Sequence, residues 1–334
     1  VVILSNMTRN KWILLALLAS AVLALGAWLL QGPAASPKKP WVVSVVQLTR
    51  VDAITLQGFK DGMGELGYRE GQDIVYLDDG PAETIDRLEP MIRRHLSRLP
   101  DLFFVSSTPA TQAVKKATAS TAVPVVFAPV NDPVASGIVP SLQKPGGPIT
   151  GIRLPAGDDL RLGWLARIAP GVKRVYLPYN PGDPSARTSV ALAQEAASKL
   201  GLKLILGEVR NGADIQAALA ALPAGVDAIF LPRDSTVESH IAHFVILALE
   251  RRLPLCAPSM QQTEAGALFS YGFVHRQIGR QAARLADQIL RGIPPADLPV
   301  ETAESYLAIN QRTARVIGLP LPGEILMQAD EVIR

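Results

Sequence analysis

The chain has 334 residues, 48% hydrophobic, 19% charged and 5% aromatic, with 33 Lys and Arg against 30 Asp and Glu. That length suits two α/β lobes of about 100–150 residues each, and the composition excludes a disordered chain. Arg9, Lys11, Lys38 and Lys39 lie in the first 40 residues, which hold no acid; the remainder is near neutral, so no nucleic-acid surface is implied.

Trp12 to Leu30 is an unbroken run of apolar and small residues with Arg9 and Lys11 before it. It has the charged flank and apolar stretch of an export signal, and as a helix of about 28 Å it nearly spans a bilayer core. Gly32–Ser36 offers small residues for cleavage, so a cleaved signal and a retained membrane anchor both stay open. No cysteine lies near the end of the run, which rules out lipoprotein-type attachment there. Met7 is an alternative start to Val1. In either case the folded domain is expected on the periplasmic or extracellular side of the cytoplasmic membrane. Pro33–Pro40 reads as a linker.

Trp41–Gln47 is the first predicted strand, and Asp52–Leu66 its helix, closed by Gly67. A strand at 73–76, a helix at 85–99 with its arginines on a solvated face, and strands at 102–105 and 123–128 follow. After Gly146–Gly147–Pro148 the series restarts: a strand at 174–179, a helix at 185–200 closed by Gly201, a strand at 203–206 and a helix at 214–221. A strand at 227–231, a helix at 236–251 and a strand at 253–257 complete it. One junction occurs twice. Leu102–Val105 runs into Ser106–Ser107–Thr108–Pro109–Ala110, and Ala228–Leu231 runs into Pro232–Arg233–Asp234–Ser235–Thr236. Each is a buried strand ending at the polar N-cap of a helix. A helix at 277–291, short strands at 299–302 and 307–310 and a helix at 311–317 finish the chain.

The alternation predicts two doubly wound parallel α/β lobes. The expected division is a leader and linker at 1–40, one lobe at 41–150 plus 275–299, and another at 151–274 plus 300–334. Crossovers near 149–155, 270–276 and 297–304 would form a hinge. Cys256, the sole cysteine, lies in an apolar strand and is expected to be buried and inert.

Little points to catalysis. His240 and His243 share a helix face, but no second ligand cluster completes a metal site. There is no nucleophile elbow, no P-loop and no G-x-G-x-x-G after the first strand. Gly62 and Gly64 fall inside a helix, where close packing is the expected use. No enzyme activity, cofactor or metal is predicted. The remaining candidates are polar groups at strand carboxyl ends, where open α/β sheets bind ligands. These are Gln47, Thr108, Asn131 and Asp132 in the first half, and Asn180, Asp234 and Ser259 in the second. Helix N-termini suit an anion and the aspartates an amine, so a zwitterion such as an amino acid uses both. Plain helix capping is the alternative for Thr108, Asp132 and Asp234.

Gly58–Phe59–Lys60–Asp61–Gly62 with Glu65–Leu66–Gly67–Tyr68 resembles the opening helix of ABC-transporter substrate-binding proteins of the tryptophan/tyrosine-binding type. Val126–Val134, Lys144–Gly151 and Tyr179–Gly182 agree, and the resemblance covers about residues 41–325. It implies a type I periplasmic-binding fold: two Rossmann-like lobes that close on a small molecule, which passes to a membrane permease driven by an ATPase. It implies contacts at Thr108, Asp132, Asn180 and Asp234, with Ser259 and the hinge strand at Tyr271–Phe273 nearby. Arg233 departs from the pattern, standing where a smaller neutral residue is expected; its charge either enters the cleft or points to solvent. Leu48–Ala53 matches no form of the family's first contact loop. A membrane-tethered sensor or regulatory domain without a transport role would use the same pocket.

Overall fold

The computed structural model describes residues 39–334. The apolar run at 12–30, with its expected signal or anchor helix, lies outside them. Among the described residues no helix is long and apolar enough to cross a membrane.

Residues 40–334 form one compact unit built on two sheets. The first begins β1 (Trp41–Val46), α1 (Asp52–Glu65), β2 (Ile74–Leu77), α2 (Leu88–Leu96), β3 (Leu102–Val105), α3 (Thr108–Ala117), β4 (Val125–Val130) and β5 (Ile149–Arg153). The second begins with α4 (Asp158–Ile168), β6 (Arg174–Tyr179), α5 (Pro184–Leu200), β7 (Lys203–Glu208) and α6 (Gly212–Ala220). It continues through β8 (Ala228–Phe230), α7 (Ser235–Glu238), α8 (Ile241–Glu250), β9 (Leu255–Ser259), α9 (Met260–Glu264) and β10 (Phe269–Phe273). The chain then returns to the first sheet with α10 (His275–Leu290) and β11 (Glu301–Thr302). It ends in the second with β12 (Tyr306–Asn310), α11 (Gln311–Ile317), α12 (Gly323–Met327) and β13 (Glu331–Ile333).

The first sheet runs β2-β1-β3-β4-β5-β11, all parallel. The second runs β7-β6-β8-β9-β10-β12-β13, with β10 and β12 antiparallel. The central strands β3, β4, β8 and β9 are buried along their whole length, as a sheet sandwiched between helices requires. In β3, Leu102 and Phe104 enter the core shared with Phe59 and Ile278, while Phe103 and Val105 enter the one shared with Leu88 and Ile92. In β8 the same period of two sends Ala228 and Phe230 one way and Ile229 the other.

The chain passes between the sheets three times, after Arg153, at Val274 and after Thr302. Ile149–Arg153 and Phe269–Phe273, expected as connections, are strands of the two sheets. The second sheet therefore takes the chain a few residues later than boundaries at 150 and 299 would have it. The long helix expected at 236–251 is two helices. The break falls at Thr236, whose carbonyl accepts from His240 Nδ1 at 2.8 Å while the His240 N–H turns to the Val237 carbonyl.

Helices α1 and α10 pack backbone against backbone. A Cβ on Gly58 would sit 2.0 Å from the Arg276 carbonyl oxygen, and one on Gly279 would sit 2.0 Å from that of Thr55. Gly62 also faces α10, whereas Gly64 opens to space, so close packing accounts for the first of that predicted pair alone. Cys256 is buried in β9, where desolvation pushes its thiol up to about 12.

Candidate functional site

In both sheets the strand order reverses at the second strand from one edge, β1 in the first and β6 in the second. Loops that follow the strands on either side of such a reversal part from each other and leave a crevice at the carboxyl ends. Here the two crevices meet. A cavity of about 40 Å³ lies between the sheets, lined on the first side by Thr49, Asp52, Thr108, Asn131 and His275 and on the second by Ser185, Arg233, Asp234 and Glu238. A groove of about 650 Å³ shares Thr49 and Ser235 with it and opens outward past Arg50, Glu83, Asn180 and Arg210.

Each wall is fixed by local chemistry. Ser107, between β3 and α3, has φ +80°, a conformation that costs a non-glycine residue about 1–3 kcal/mol and concentrates at functional sites. It starts α3 by accepting from Ala110 N, and Thr108 Oγ1 accepts from Asn131 N at 3.3 Å. Asp52 Oδ2 accepts from the N–H groups of Leu48 and Thr49 at 3.0 and 2.9 Å. Burial raises its pKa to about 6, against the pull of the Thr49 N–H and of His275. On the facing side Asp234 Oδ1 accepts from Thr236 and Val237 N–H groups, and its Oδ2 from Asn180 N at 2.5 Å. Asp183 binds Ser185 N and Ser235 N. Burial raises the pKa of both aspartates, and the proximity of Asp183 adds to the rise at Asp234.

Three polar contacts bridge the walls. Asn131 Nδ2 donates to the Ser185 carbonyl at 3.2 Å, and an Arg233 guanidinium N–H donates to Asn131 Oδ1 at 2.9 Å. His275, whose Nδ1 lies 3.0 Å from Thr55 Oγ1, meets Glu238 through Nε2 at 2.9 Å. Burial alone would disfavour the imidazolium, but Glu238, with Asp52 behind, outweighs it and raises the His275 pKa. Behind the cavity Asp158 and Arg161 pair at 2.5 Å, both fully buried, and the Arg161 guanidinium lies 4.2 Å over the Phe230 ring.

Of the residues expected from sequence, Thr108, Asn131, Asp234 and Phe273 line the cavity and Asn180 lines the groove. Asp132 turns away: its Oδ1 accepts from Val134 and Ala135 N–H groups and caps that turn. Ser259, beside the wall residue Pro258, bonds Gln262 at 3.0 Å and donates to the cavity-lining Glu238 at 3.4 Å, and Tyr271 lies outside the cavity lining, 6.3 Å from the Trp164 ring. Gln47 is buried at the end of β1 outside the cavity lining. Arg233 does enter the cleft. Asp52, Glu238 and His275 escaped the sequence reading; the one local sign was that His275 directly follows a sheet-end strand.

Two mainly parallel α/β sheets around a polar crevice define a ligand-binding protein of the type I periplasmic-binding-like fold. The chain belongs to the ABC transporter substrate binding protein family, which matches residues 42–333. A curated relative, the tyrosine-binding protein of Clostridioides difficile, is 25% identical over 264 residues, covering 79% of this chain and 76% of that one. A conserved domain protein from Vibrio cholerae superposes with a TM-score of 0.83 at 31% identity, covering 88% of this chain and all of that one. A Streptococcus pneumonia ABC domain in complex with L-Trp gives 0.81 at 26% identity, over 88% of this chain and 100% of that one. A ligand-free, open substrate-binding protein with adhesive properties from Clostridium difficile gives 0.65 at 25% identity, over 88% of this chain and 99% of that one.

Proposed function

We propose that this protein is the extracytoplasmic solute-binding component of an ABC importer. It binds a small polar molecule, an amino acid or a related zwitterion or carboxylate, between its two Rossmann-like lobes. The three chain crossings act as the hinge, and the captured solute passes to a membrane permease. The observation that carries this reading is the set of bridges from Asn131 to Ser185, Arg233 to Asn131 and His275 to Glu238, which join the two sheets across the cavity. Contacts made only when the lobes meet favour the closed state, and a ligand that adds to them shifts the population toward it. In support, the chain superposes better on the L-Trp complex than on the open, ligand-free relative, at nearly equal identity.

The test uses residues 40–334, the unit that solved relatives comprise in full. A thermal-shift screen covers amino acids, small carboxylates, nucleosides and sugars. A ligand at about 100 times its Kd adds about 2.7 kcal/mol and several degrees in Tm. A folded domain that responds to no member of the panel refutes the proposal.

A further inference from the structure

Arg233 is the group in the cavity whose hydrogen bonding is least complete. The carboxylates that line the same space are supplied with donors: Asp52 by Leu48 and Thr49, Asp234 by three N–H groups and Glu238 by His275. Arg233 is 6% exposed, its Nε has no hydrogen-bond partner, and the carboxylate oxygen of Asp158 stands off at 3.8 Å. Asp158 is itself committed to Arg161 at 2.5 Å. The one hydrogen bond made by the Arg233 guanidinium goes to the neutral amide oxygen of Asn131, on the opposite wall. A buried guanidinium remains charged, and a carboxylate can meet it with two parallel hydrogen bonds where the amide oxygen makes one.

We infer that Arg233 is the specificity-determining residue of the cleft and that it selects a ligand bearing a carboxylate, which its guanidinium holds beside Asn131 Oδ1. This rests on the solute-binding reading above and sharpens it. Asp158 and Glu238 near the same space make a doubly charged phosphate costly, whereas a planar, singly charged carboxylate matches the guanidinium fork. The cavity beside Arg233, at about 40 Å³, has room for about three waters. The carboxylate therefore arrives at the inner end, and any bulk attached to it extends toward the groove.

The test pairs each acid with its neutral isostere. Calorimetry on residues 40–334 compares acetate with acetamide, propionate with propionamide, and L-glutamate with L-glutamine; L-tryptophan, L-tyrosine and glucose complete the panel. In the wild type the carboxylate of at least one pair binds at least tenfold tighter than its amide. Arg233→Gln abolishes that preference and Arg233→Lys keeps part of it. Because Asp158 retains Arg161, the substitutions leave no buried carboxylate unpaired, and an unchanged near-ultraviolet circular dichroism spectrum checks the fold. Equal binding of acid and amide by the wild type, a preference that survives Arg233→Gln, or tight binding of glucose overturns the inference while leaving solute binding intact. Silence across the panel removes both.

Discussion

Replacing Gly58 by Ala tests whether α1 and α10 are held by backbone contact. The new Cβ would lie 2.0 Å from the Arg276 carbonyl oxygen, where ordinary contact begins at 3.4 Å, so one helix must move by about 1.4 Å. The obstacle is backbone on both sides and no rotamer change relieves it. Overpacking of this kind costs about 3 kcal/mol at the upper end of the usual range. Alanine returns about 1 kcal/mol of helix propensity, leaving a net loss of about 2 kcal/mol. With an unfolding entropy of about 0.6 kcal/mol/K for a domain of this size, Tm falls by about 3 °C. Gly64→Ala in the same helix is the control: nothing lies within 4 Å of its Cβ, so it should gain up to about 1 kcal/mol. Scanning calorimetry of both variants reads opposite signs. If Gly58→Ala is as stable as the wild type, or both move together, the two helices do not meet as described. Because α10 begins at His275, the same displacement should also weaken ligand binding.

Asp52→Asn addresses pH. A carboxyl raised from 3.8 to about 6 binds its proton more tightly in the folded state, so it contributes stability at low pH that is lost as pH rises from about 4 to about 6. The loss is on the order of 3 kcal/mol. Urea unfolding at pH 4 and pH 7 should show a smaller decline in the variant than in the wild type, and equal declines would contradict the assignment. Asp132→Ala should cost about 1 kcal/mol as a lost cap and leave ligand affinity unchanged by calorimetry; a tenfold loss of affinity would return Asp132 to the site.

The elements legible in the sequence were those whose pattern is local. Leu102–Val105 and its counterpart at 228–231 are apolar on both faces within four residues, and the polar stretch after each announces the helix. Asn131 and Asp132 could not be told apart, because which of two adjacent side chains enters a cleft depends on the turn. In the fold Asn131 faces Arg233 and Asp132 closes the turn. Tyr271 and Phe273, two apart, should share a face, but the register of β10 against β9 shifts between Ser270 and Phe273. At Gly272 a Cβ would meet the Pro258 carbonyl at 1.8 Å. An irregularity of this kind re-aims a side chain. Arg233 and His275 act through partners 102 and 37 positions away. No window of sequence holds such pairs together.

The three crossings carry a consequence for biosynthesis. The face of the first sheet that Phe59 and Phe104 share is covered by Ile278, Ala282 and Ala283, residues made more than 200 positions after β1. The second sheet likewise waits for β12 and β13. At usual elongation rates of about 5–20 residues per second, the early half of the chain stays without its cover for about 10–45 s. A nascent chain therefore cannot cover the Phe59–Phe104 face by its own early residues, although the opposite face closes early on Leu88 and Ile92. A truncation before residue 275 should leave both lobes with one open face.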